Sequence, residues 1–236
     1  MKQALASKQA SKQASKQASK RVLTVLELFS GFECMSNAFR NRGHECFTVD
    51  WDERFNSDLH KDISQLTIDD LPEKFRNPDV VFVGIDCTTY SVAAISKHRR
   101  KDATGNLIPI SDKAKFADKM AIHVKELLEE LNPKIQIWEN PVGGLRKMWF
   151  MQDLLYRNTT TYCQYGFSYR KATDFFSNIY LDLKEPCKNG SPCHEKAPRG
   201  ARTGLQKITD PALKALYPPM LCDEIVSKCE EYMETR

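Results

Sequence analysis

The chain of 236 residues contains no long apolar run, and its longest strongly apolar stretch extends only from Val80 to Ile85. That length suits a buried strand and falls far below the roughly 18 apolar residues of a transmembrane helix. The N-terminal region also lacks the apolar stretch of a signal peptide, so we expect a cytoplasmic protein with no membrane association. The length excludes two comfortable enzymatic domains, and one substantial core is expected.

A compact disulfide spacing is absent too, although eight cysteines are scattered over 34–229. Without an export signal, such thiols indicate a reducing compartment that leaves them free for packing, metal binding or nucleophilic chemistry. Cys187, Cys193 and His194, with Cys163 upstream, are suitable zinc ligands. Against zinc, the chain has no Cys-x-x-Cys pair, and an adjacent Cys-His pair is awkward for one tetrahedral ion. A structural zinc remains open, and we expect no metal among the catalytic residues.

Acidic residues are missing from residues 1–21, which carry six basic side chains and repeat Ala-Ser-Lys-Gln with a period of four. The total net charge is +4, so the rest of the chain carries about −2. Lysines four residues apart repel each other on a helix, and the segment has little to bury. We therefore predict a disordered basic tail, which either tethers nucleic acid weakly or is merely solvated. The body is not strongly basic, so a nucleic-acid surface there must be local.

From residue 22 onwards, the sequence alternates apolar strand patterns with helical patterns. Predicted strands cover 22–28, 45–49, 79–85 and 134–138, and a first helix covers 34–41. Ser111 is the expected N-cap of a second helix that ends before Pro133. Apolar residues recur there at helical spacing, namely Phe116, Met120, Val124, Leu127, Leu128 and Leu131. The alternation predicts an α/β fold with a mainly parallel sheet, in which ligands bind beyond the carboxyl ends of the strands.

Candidate binding residues follow the first two strands directly. Phe29-Ser30-Gly31 forms a turn whose glycine allows a ligand to approach the backbone closely, ahead of a helix N-terminus. Asp50 is placed to accept hydrogen bonds from ribose hydroxyls, and Trp51 to stack on a base. Asp62 and Ile63 are suited to complete an adenine site. Each of these residues also has an ordinary structural interpretation, as a turn residue, a solvated acid or a packed apolar side chain.

Candidate catalytic residues follow the next two strands. Cys87 lies just after the strand that ends at Ile85, where a thiol is a candidate nucleophile, although isolated cysteines are usually buried hydrophobes. The basic segment 97–101 suits a mobile loop that closes over a phosphate backbone, or else a solvated surface loop. Glu139 and Asn140 follow residues 135–138, where shielding from water favours a protonated carboxyl that donates a proton. A turn acid is the alternative interpretation of Glu139.

In this order, the segments resemble the motifs of the DNA cytosine 5-methyltransferase family, particularly its short phage-borne members, over roughly residues 22–230. The first cofactor motif is matched by Leu28-Phe29-Ser30-Gly31, and the second and third by Asp50-Trp51 and Asp62-Ile63. Gly84-Ile85-Asp86-Cys87 takes the place of the Gly-Phe-Pro-Cys nucleophile motif. Later matches are Ser91, Glu139-Asn140-Pro141 for Glu-Asn-Val, Arg170 for the arginine motif, and Tyr217-Pro218-Pro219-Met220-Leu221 for the last motif.

The resemblance implies a Rossmann-like class I methyltransferase that uses S-adenosylmethionine and acts, as a monomer, on a cytosine flipped out of DNA. Cys87 is then the nucleophile at carbon 6, and Glu139, positioned with Asn140, donates a proton to nitrogen 3. Arg170 holds the carbonyl at carbon 2. The implied core spans 22–182. A loop-rich segment, 183–216, with basic residues that include Lys196, Arg199, Arg202 and Lys207, contacts DNA, and a C-terminal helix at 217–236 packs on the core.

Three departures from the family pattern qualify this interpretation. Asp86 replaces the proline before the nucleophile, and its charge raises the thiol pKa unless a base such as His98 or Arg99 neutralises it. Glu33-Cys34 replaces the second glycine pair of the cofactor motif. The stretch 178–217 is too short for a full target-recognition domain. Two alternatives therefore stay open: a relative that binds nucleic acid without methylating it, and a methyltransferase that acts on RNA.

Overall fold

The computed structural model describes residues 21–196, 208 and 210–236. The tail prediction for residues 1–20 and the predicted DNA contacts of Arg199, Arg202 and Lys207 lie outside the described residues. Arg21 pairs with Asp79 in the body, with 2.7 Å between Nη2 and Oδ1. The strands are β1 (Thr24–Leu28), β2 (Glu45–Asp50), β3 (Leu59–His60), β4 (Val80–Val83), β5 (Arg99–Lys101), β6 (Leu107–Pro109), β7 (Ile135–Pro141), β8 (Tyr156–Thr161) and β9 (Ala172–Ser177).

Seven of these strands form one sheet in the order β3-β2-β1-β4-β7-β9-β8. From β3 to β7, each strand is parallel to its neighbour, whereas β9 is antiparallel to both β7 and β8. This arrangement confirms the predicted α/β fold with a mainly parallel sheet. The chain moves outward from β1 to β3 and then returns to β4 on the other side of β1. The carboxyl ends of β1 and β4 therefore flank a topological switch point, where such sheets bind their ligands.

Helices cover both faces of the sheet. They are α1 (Cys34–Asn41), α2 (Ile95–His98), α3 (Asp112–Leu131), α4 (Pro211–Ala215) and α5 (Pro219–Glu234). The apolar faces of α1 and α5 pack together on one side of the sheet, and α3 packs on the other. Short 3₁₀ helices connect the larger elements at Ile63–Gln65, Ile68–Asp70, Glu73–Phe75, Leu145–Lys147, Trp149–Met151 and Tyr162–Tyr165. Among the described residues, none of the helices is long and apolar enough to cross a membrane.

Local signals in the sequence explain where the helices begin and end. α1 has the predicted bounds, and Ser111 is the N-cap of α3, as its hydroxyl accepts a hydrogen bond from the Ala114 amide. Asn132 ends α3 in the left-handed conformation, with φ of 45°. The residues that recur at helical spacing all lie on this helix; Val124, Leu127, Leu128 and Leu131 are buried, whereas Phe116 is half exposed.

Two differences from the sequence prediction bear on the site. The strand predicted over 134–138 continues to Pro141, so Glu139 and Asn140 belong to the sheet and are not in a turn after it. Residues 97–101 form the end of α2 and one strand of the β5–β6 hairpin, not an irregular loop. Arg99, at the centre of that basic segment, is buried. It is therefore not available to a phosphate backbone.

Candidate active site

The residues singled out from the sequence converge on one edge of the sheet. Parallel strands end on the same side, so the segments after β1, β2, β4 and β7 share this edge. β9 runs antiparallel to β7, with Pro141 paired to Thr173, so the start of β9 lies beside the end of β7. Lys171, which directly precedes β9, is thereby brought to the same edge. We call this edge the strand-end site.

The turn after β1 has an unusual backbone. Phe29, Gly31 and Glu33 have φ values of 58°, 48° and 54°, so alternate residues adopt the left-handed conformation. The amide of Gly31 donates to Oδ2 of Asp50 at 2.9 Å, which fixes the turn to the end of β2. A side chain built at Gly31 would meet nothing within 4 Å. The turn therefore leaves open space in front of its backbone, as a ligand that approaches closely requires.

Glu33 explains how the chain tolerates the loss of the family's glycine. The position keeps the left-handed conformation that glycine adopts freely, at a cost of roughly 1–2 kcal/mol for another residue. Its carboxylate accepts hydrogen bonds from the Thr48 hydroxyl at 2.9 Å and from Arg40 at 2.7 Å. These contacts hold the strained residue in place. The turn therefore accommodates glutamate in the left-handed conformation.

The other predicted cofactor residues line the ends of β2 and β3. Asp50 also accepts from the Asp52 amide at 3.0 Å, so each of its oxygens has one described donor and a lone pair to spare. The indole of Trp51 is 67% exposed and offers a stacking surface. Asp62 is half-exposed and caps the 3₁₀ helix that follows it. Ile63 is only 1% exposed, so its side chain supports the core and presents little surface to a ring.

Cys87 lies half-buried in the loop after β4, on the strand-end site. Burial is the largest cause that raises the pKa of its thiol, to about 11, and the nearby carboxylate of Glu139 is the second. Lys171 acts in the opposite direction, and Asp86 adds a smaller increase. In this structure the sulfur is therefore protonated at neutral pH, and it becomes a thiolate only when the surrounding charges change.

Asp86 acts in the direction predicted from the sequence, and neither proposed base neutralises it. Its carboxylate points to Thr88, where it accepts from the amide at 2.9 Å and from the hydroxyl at 2.6 Å. The ring of His98 is hydrogen-bonded to Ser111 at 2.8 Å. Arg99 forms a buried ion pair with Asp118 at 2.7 Å. His98 thus supports the start of α3. Arg99 also donates to the carbonyl and the hydroxyl of Thr89, both at 3.0 Å, so it holds the Cys87 loop in place without neutralising Asp86.

Glu139 is 5% exposed and has three polar neighbours. The hydroxyls of Tyr162 and Tyr217 donate to its two oxygens at 3.3 and 3.2 Å. The ammonium of Lys171 lies 3.6 Å from Oε1 and also faces the ring of Tyr162, 4.6 Å from its centre. These donors orient the carboxyl group at the end of β7. Tyr217 belongs to the segment predicted as the last motif.

Asn140 joins the end of β7 to the segment that leads to Cys87. Its amide nitrogen donates to the carbonyl of Ile85 at 3.2 Å, and its amide oxygen is buried with no partner among the described residues. Gly144 donates to the carbonyl of Tyr90 at 2.6 Å. A side chain at Gly143 would lie 2.3 Å from that same carbonyl, so glycine is needed for the close approach. The nucleophile loop is therefore fixed against the end of β7.

The two residues before β9 differ from the sequence prediction. Arg170, expected to hold the cytosine carbonyl, donates from Nε to the carbonyl of Cys187 at 3.0 Å. Among the described residues, Lys171 is the cation paired with Glu139. Sequence reasoning missed Lys171 and Tyr162 because β8 and β9 were not predicted as strands. The antiparallel return of β9 is the only signal that places Lys171 beside Glu139.

The comparisons with solved structures give three relatives of low identity. An E. coli prophage protein assigned as a DNA modification methyltransferase shares 17% identity, with a TM-score of 0.49 and coverage of 70% of this chain and 51% of its own. Dnmt2 from S. pombe shares 14%, with a TM-score of 0.45 and coverage of 70% and 52%. A DNMT2 mutant from Spodoptera frugiperda shares 16%, with a TM-score of 0.42 and coverage of 69% and 53%. The chain thus spans about half the length of these proteins.

No curated protein sequence matches the chain. A family model described as C-5 cytosine-specific DNA methylase matches residues 23–153, which is more than half of the chain. The matched range includes the turn after β1, the end of β2, the Cys87 loop and Glu139. The chain therefore belongs to the family of C-5 cytosine-specific DNA methylases.

Proposed function

We propose that this chain is an S-adenosylmethionine-dependent methyltransferase that methylates carbon 5 of cytosine in DNA, with Cys87 as the nucleophile. One observation carries the proposal. Cys87 follows β4, Glu139 lies near the carboxyl end of the neighbouring parallel strand β7, and Asn140 hydrogen-bonds the carbonyl of Ile85 after β4. Family membership supplies the reaction class, and this juxtaposition supplies a thiol and a carboxyl for it.

The residues beside the switch point fit the proposed cofactor. Gly31 has open space in front of its backbone, and Trp51 offers an exposed ring on which adenine would stack. Asp50 retains a lone pair on each oxygen for ribose hydroxyls. Asp62 lies at the end of β3, where an exocyclic amine would reach it. S-adenosylmethionine, when bound, supplies a methyl group on a positively charged sulfur.

The base-binding half of the site provides a nucleophile and a proton donor. A cytosine must leave the base stack, or be single-stranded, before the Cys87 sulfur can reach carbon 6. The sulfur forms a bond to carbon 6 while the Glu139 carboxyl gives its proton to nitrogen 3. The electron pair displaced from the 5,6 double bond makes carbon 5 the nucleophile for the methyl group. Loss of the carbon 5 proton to a base then re-forms the 5,6 double bond and expels Cys87, while nitrogen 3 returns its proton to Glu139.

Burial is the largest cause of the high pKa of the Cys87 thiol, and charge coupling to Glu139 adds to it. The negative charge of Glu139 is the second cause that raises this pKa to about 11, and Lys171 lowers it. Protonation of Glu139 removes the opposing charge and leaves the influence of Lys171. The reaction needs the same change, since it requires a proton on Glu139 and none on Cys87. We infer that the protonated acid and the thiolate form together when the base binds.

A trapping experiment tests the proposal. DNA that carries 5-fluorocytosine is incubated with the protein and S-adenosylmethionine, and adducts are resolved on a denaturing gel. Fluorine at carbon 5 cannot leave as a proton does, so the sulfur–carbon bond persists after methylation. We expect a denaturation-resistant adduct with the wild type and with Cys46→Ser, a matched variant of a half-buried thiol in β2, and none with Cys87→Ala.

The high thiol pKa favours one alternative, a relative that holds nucleic acid without methylating it. That protein would bind cofactor and DNA but give no adduct and transfer no labelled methyl group. An adduct that persists in Cys87→Ala would exclude Cys87 as the nucleophile. Parallel reactions with RNA of the same sequence separate the two polymers, because methyl transfer to RNA alone would overturn the DNA assignment.

A further inference from the structure

Four side chains of the kinds that bind metal ions converge in the part of the chain between the end of β8 and residue 196. None of them belongs to the strand-end site. They are Cys163, Cys187, Cys193 and His194, and their sulfur and nitrogen atoms all lie within 4.8 Å of one another. We call them the thiol cluster. Cys163 belongs to the 3₁₀ helix after β8, whereas the other three lie in the irregular segment 178–196. Parts of the chain more than 20 residues apart therefore present their donor atoms to one point.

Three of the four distances between the sulfur and nitrogen atoms of the thiol cluster match the edges of a zinc tetrahedron. Bond lengths of about 2.3 Å for Zn–S and about 2.0–2.1 Å for Zn–N give edges of roughly 3.8 Å between sulfurs and roughly 3.6 Å between sulfur and nitrogen. The Cys193 and Cys163 sulfurs are 3.7 Å apart. Nδ1 of His194 lies 3.6 Å from the Cys187 sulfur and 3.5 Å from that of Cys193. The fourth measured edge, Cys163 to Cys187, is shorter at 3.2 Å.

His194 points independently to a ligand. The residue is only 8% exposed, its Nδ1 faces the thiols, and its buried Nε2 has no hydrogen-bond partner among the described residues. A metal ion among the thiols would bind the lone pair of Nδ1 and leave the proton on Nε2, which explains why Nδ1 faces the sulfurs. The adjacency of Cys193 and His194, awkward in an extended chain, is resolved here. A turn at residues 192–193 and a bend at 194 direct both side chains to the same side.

We propose that Cys163, Cys187, Cys193 and His194 bind one structural Zn²⁺ ion. Three thiolates and one imidazole complete a tetrahedral set, so no coordination position remains for water or substrate. This closed set indicates a structural ion and not a catalytic one. Zinc binding requires the three thiols to lose their protons. The complex of Zn²⁺ with three thiolates and one neutral imidazole then has a net charge of −1.

The site would fasten an irregular segment to the sheet beside the strand-end site. Residues 178–196 contain no helix or strand, so few backbone ladders hold them in place. The amide of Cys187 donates to Thr161 at the end of β8, and its carbonyl accepts from Arg170. Cys163 directly follows Tyr162, which donates to Glu139. Zinc would therefore fix both the segment and the residues that lead to the partners of Glu139.

Metal analysis of the full chain tests this proposal without reference to methylation. The protein is purified in the presence of Zn²⁺, dialysed, and its metal is measured by mass spectrometry. We expect about one zinc per chain in the wild type and in Cys46→Ser, and loss of most of this zinc in Cys187→Ser and His194→Ala. Removal of zinc by a chelator should lower the melting temperature of the wild type by several degrees.

Cobalt substitution keeps the test decisive if the variants fail to fold. Co²⁺ bound to the wild type should give the strong visible absorption of a tetrahedral thiolate site, and Zn²⁺ should displace it. The proposal is overturned if the folded wild type holds no zinc after purification with Zn²⁺, or if its melting temperature is indifferent to the chelator. A Cys163–Cys187 disulfide found by peptide mapping in protein kept under reducing conditions would overturn it equally.

Discussion

The two cysteine sites of this chain differ in what surrounds the sulfur. Cys87 stands alone on a loop beyond a parallel strand, and burial, two carboxylates and one ammonium determine the pKa of its thiol. In the thiol cluster, the neighbours of each sulfur are other sulfurs and an imidazole. A lone thiol held as the neutral form can be released as a nucleophile when a nearby charge is neutralised. Sulfurs gathered around one point are suited to share a cation and remain fixed.

Thiol pKa values differ even within the thiol cluster, since burial raises the pKa of Cys163 to about 12. Burial and Glu139 raise the pKa of Cys87, whereas hydrogen bonds from neighbours lower the pKa of Cys187 despite its burial. These neighbours are Thr161, Cys163, Cys193 and Arg170. The surroundings of Cys87 suit a thiol that reacts when a ligand binds. The surroundings of Cys187 suit a thiolate that stays bonded to a metal ion.

Substitution of Cys87 and of Cys187 by alanine should give opposite results, and this is the largest effect we predict. Cys87→Ala should reduce the rate of methyl transfer at least about 10³-fold, because no other group attacks carbon 6, while the melting temperature changes by less than about 4 °C. Cys187→Ala should lower the melting temperature more than Cys87→Ala does. Radiolabelled methyl transfer and thermal unfolding measure the two quantities. Equal loss of stability in both variants would remove the distinction.

The sequence predicted the first of these sites much better than the second. Residues such as Gly31, Asp50 and Cys87 follow strands with clear apolar patterns, and parallel topology brings all strand ends to one edge. Lys171 depends on the antiparallel return of β9, which has no comparable pattern. The thiol cluster depends on a turn in an irregular segment, and no periodicity encodes such a turn. The sequence therefore identified these residues as suitable zinc ligands, but it did not predict that their side chains lie together.

Glu139→Gln should change Cys87 and leave the thiol cluster unaffected. Loss of the carboxylate charge removes the second cause that raises the pKa of Cys87, so this pKa should fall below its present value of about 11. Methyl transfer should nevertheless fall about 10²–10⁴-fold, because glutamine cannot donate a proton to nitrogen 3. Alkylation of Cys87 by iodoacetamide between pH 7 and pH 11, read by peptide mass spectrometry, reports the pKa.

Glu224→Gln is the matched control for this prediction. Glu224 also accepts a hydrogen bond from a tyrosine hydroxyl, that of Tyr165 at 3.1 Å, but it lies on α5 and does not influence the Cys87 thiol. Its substitution should leave both the alkylation profile and methyl transfer unchanged. An unaltered alkylation profile in Glu139→Gln would show that the two groups are not coupled.

Lys171→Met should shift the same thiol in the opposite direction. The ammonium favours the thiolate, so its loss should raise the pKa of Cys87 further and slow alkylation at a given pH roughly tenfold. Lys184→Met is the control, since Lys184 faces the ring of Tyr165 at 4.7 Å, much as Lys171 faces Tyr162. Faster alkylation in Lys171→Met would contradict the sign of this interaction.

Asp86→Asn should have the smallest effect on Cys87. Asparagine retains the oxygen that accepts hydrogen bonds from Thr88, so the loop keeps its shape and only the charge is lost. Asp86 is exposed and is the weakest of the charged neighbours that influence the thiol, so water and salt screen it. The pKa of Cys87 should fall slightly, and the thiolate population at neutral pH should rise by less than about tenfold.

The size of the Asp86 effect decides how the chain tolerates an acid where its family has a proline. One outcome is that Asp86→Asn accelerates alkylation less than Glu139→Gln does, and that its difference from the wild type becomes smaller in high salt. Water and salt then screen the charge of Asp86, and its side chain acts mainly by shaping the loop. If Asp86→Asn instead has the larger effect, the carboxylate itself keeps Cys87 protonated. The protonation of Cys87 would then be controlled by a residue of its own loop. The contrast with the thiol cluster would no longer depend on Glu139 at the end of β7.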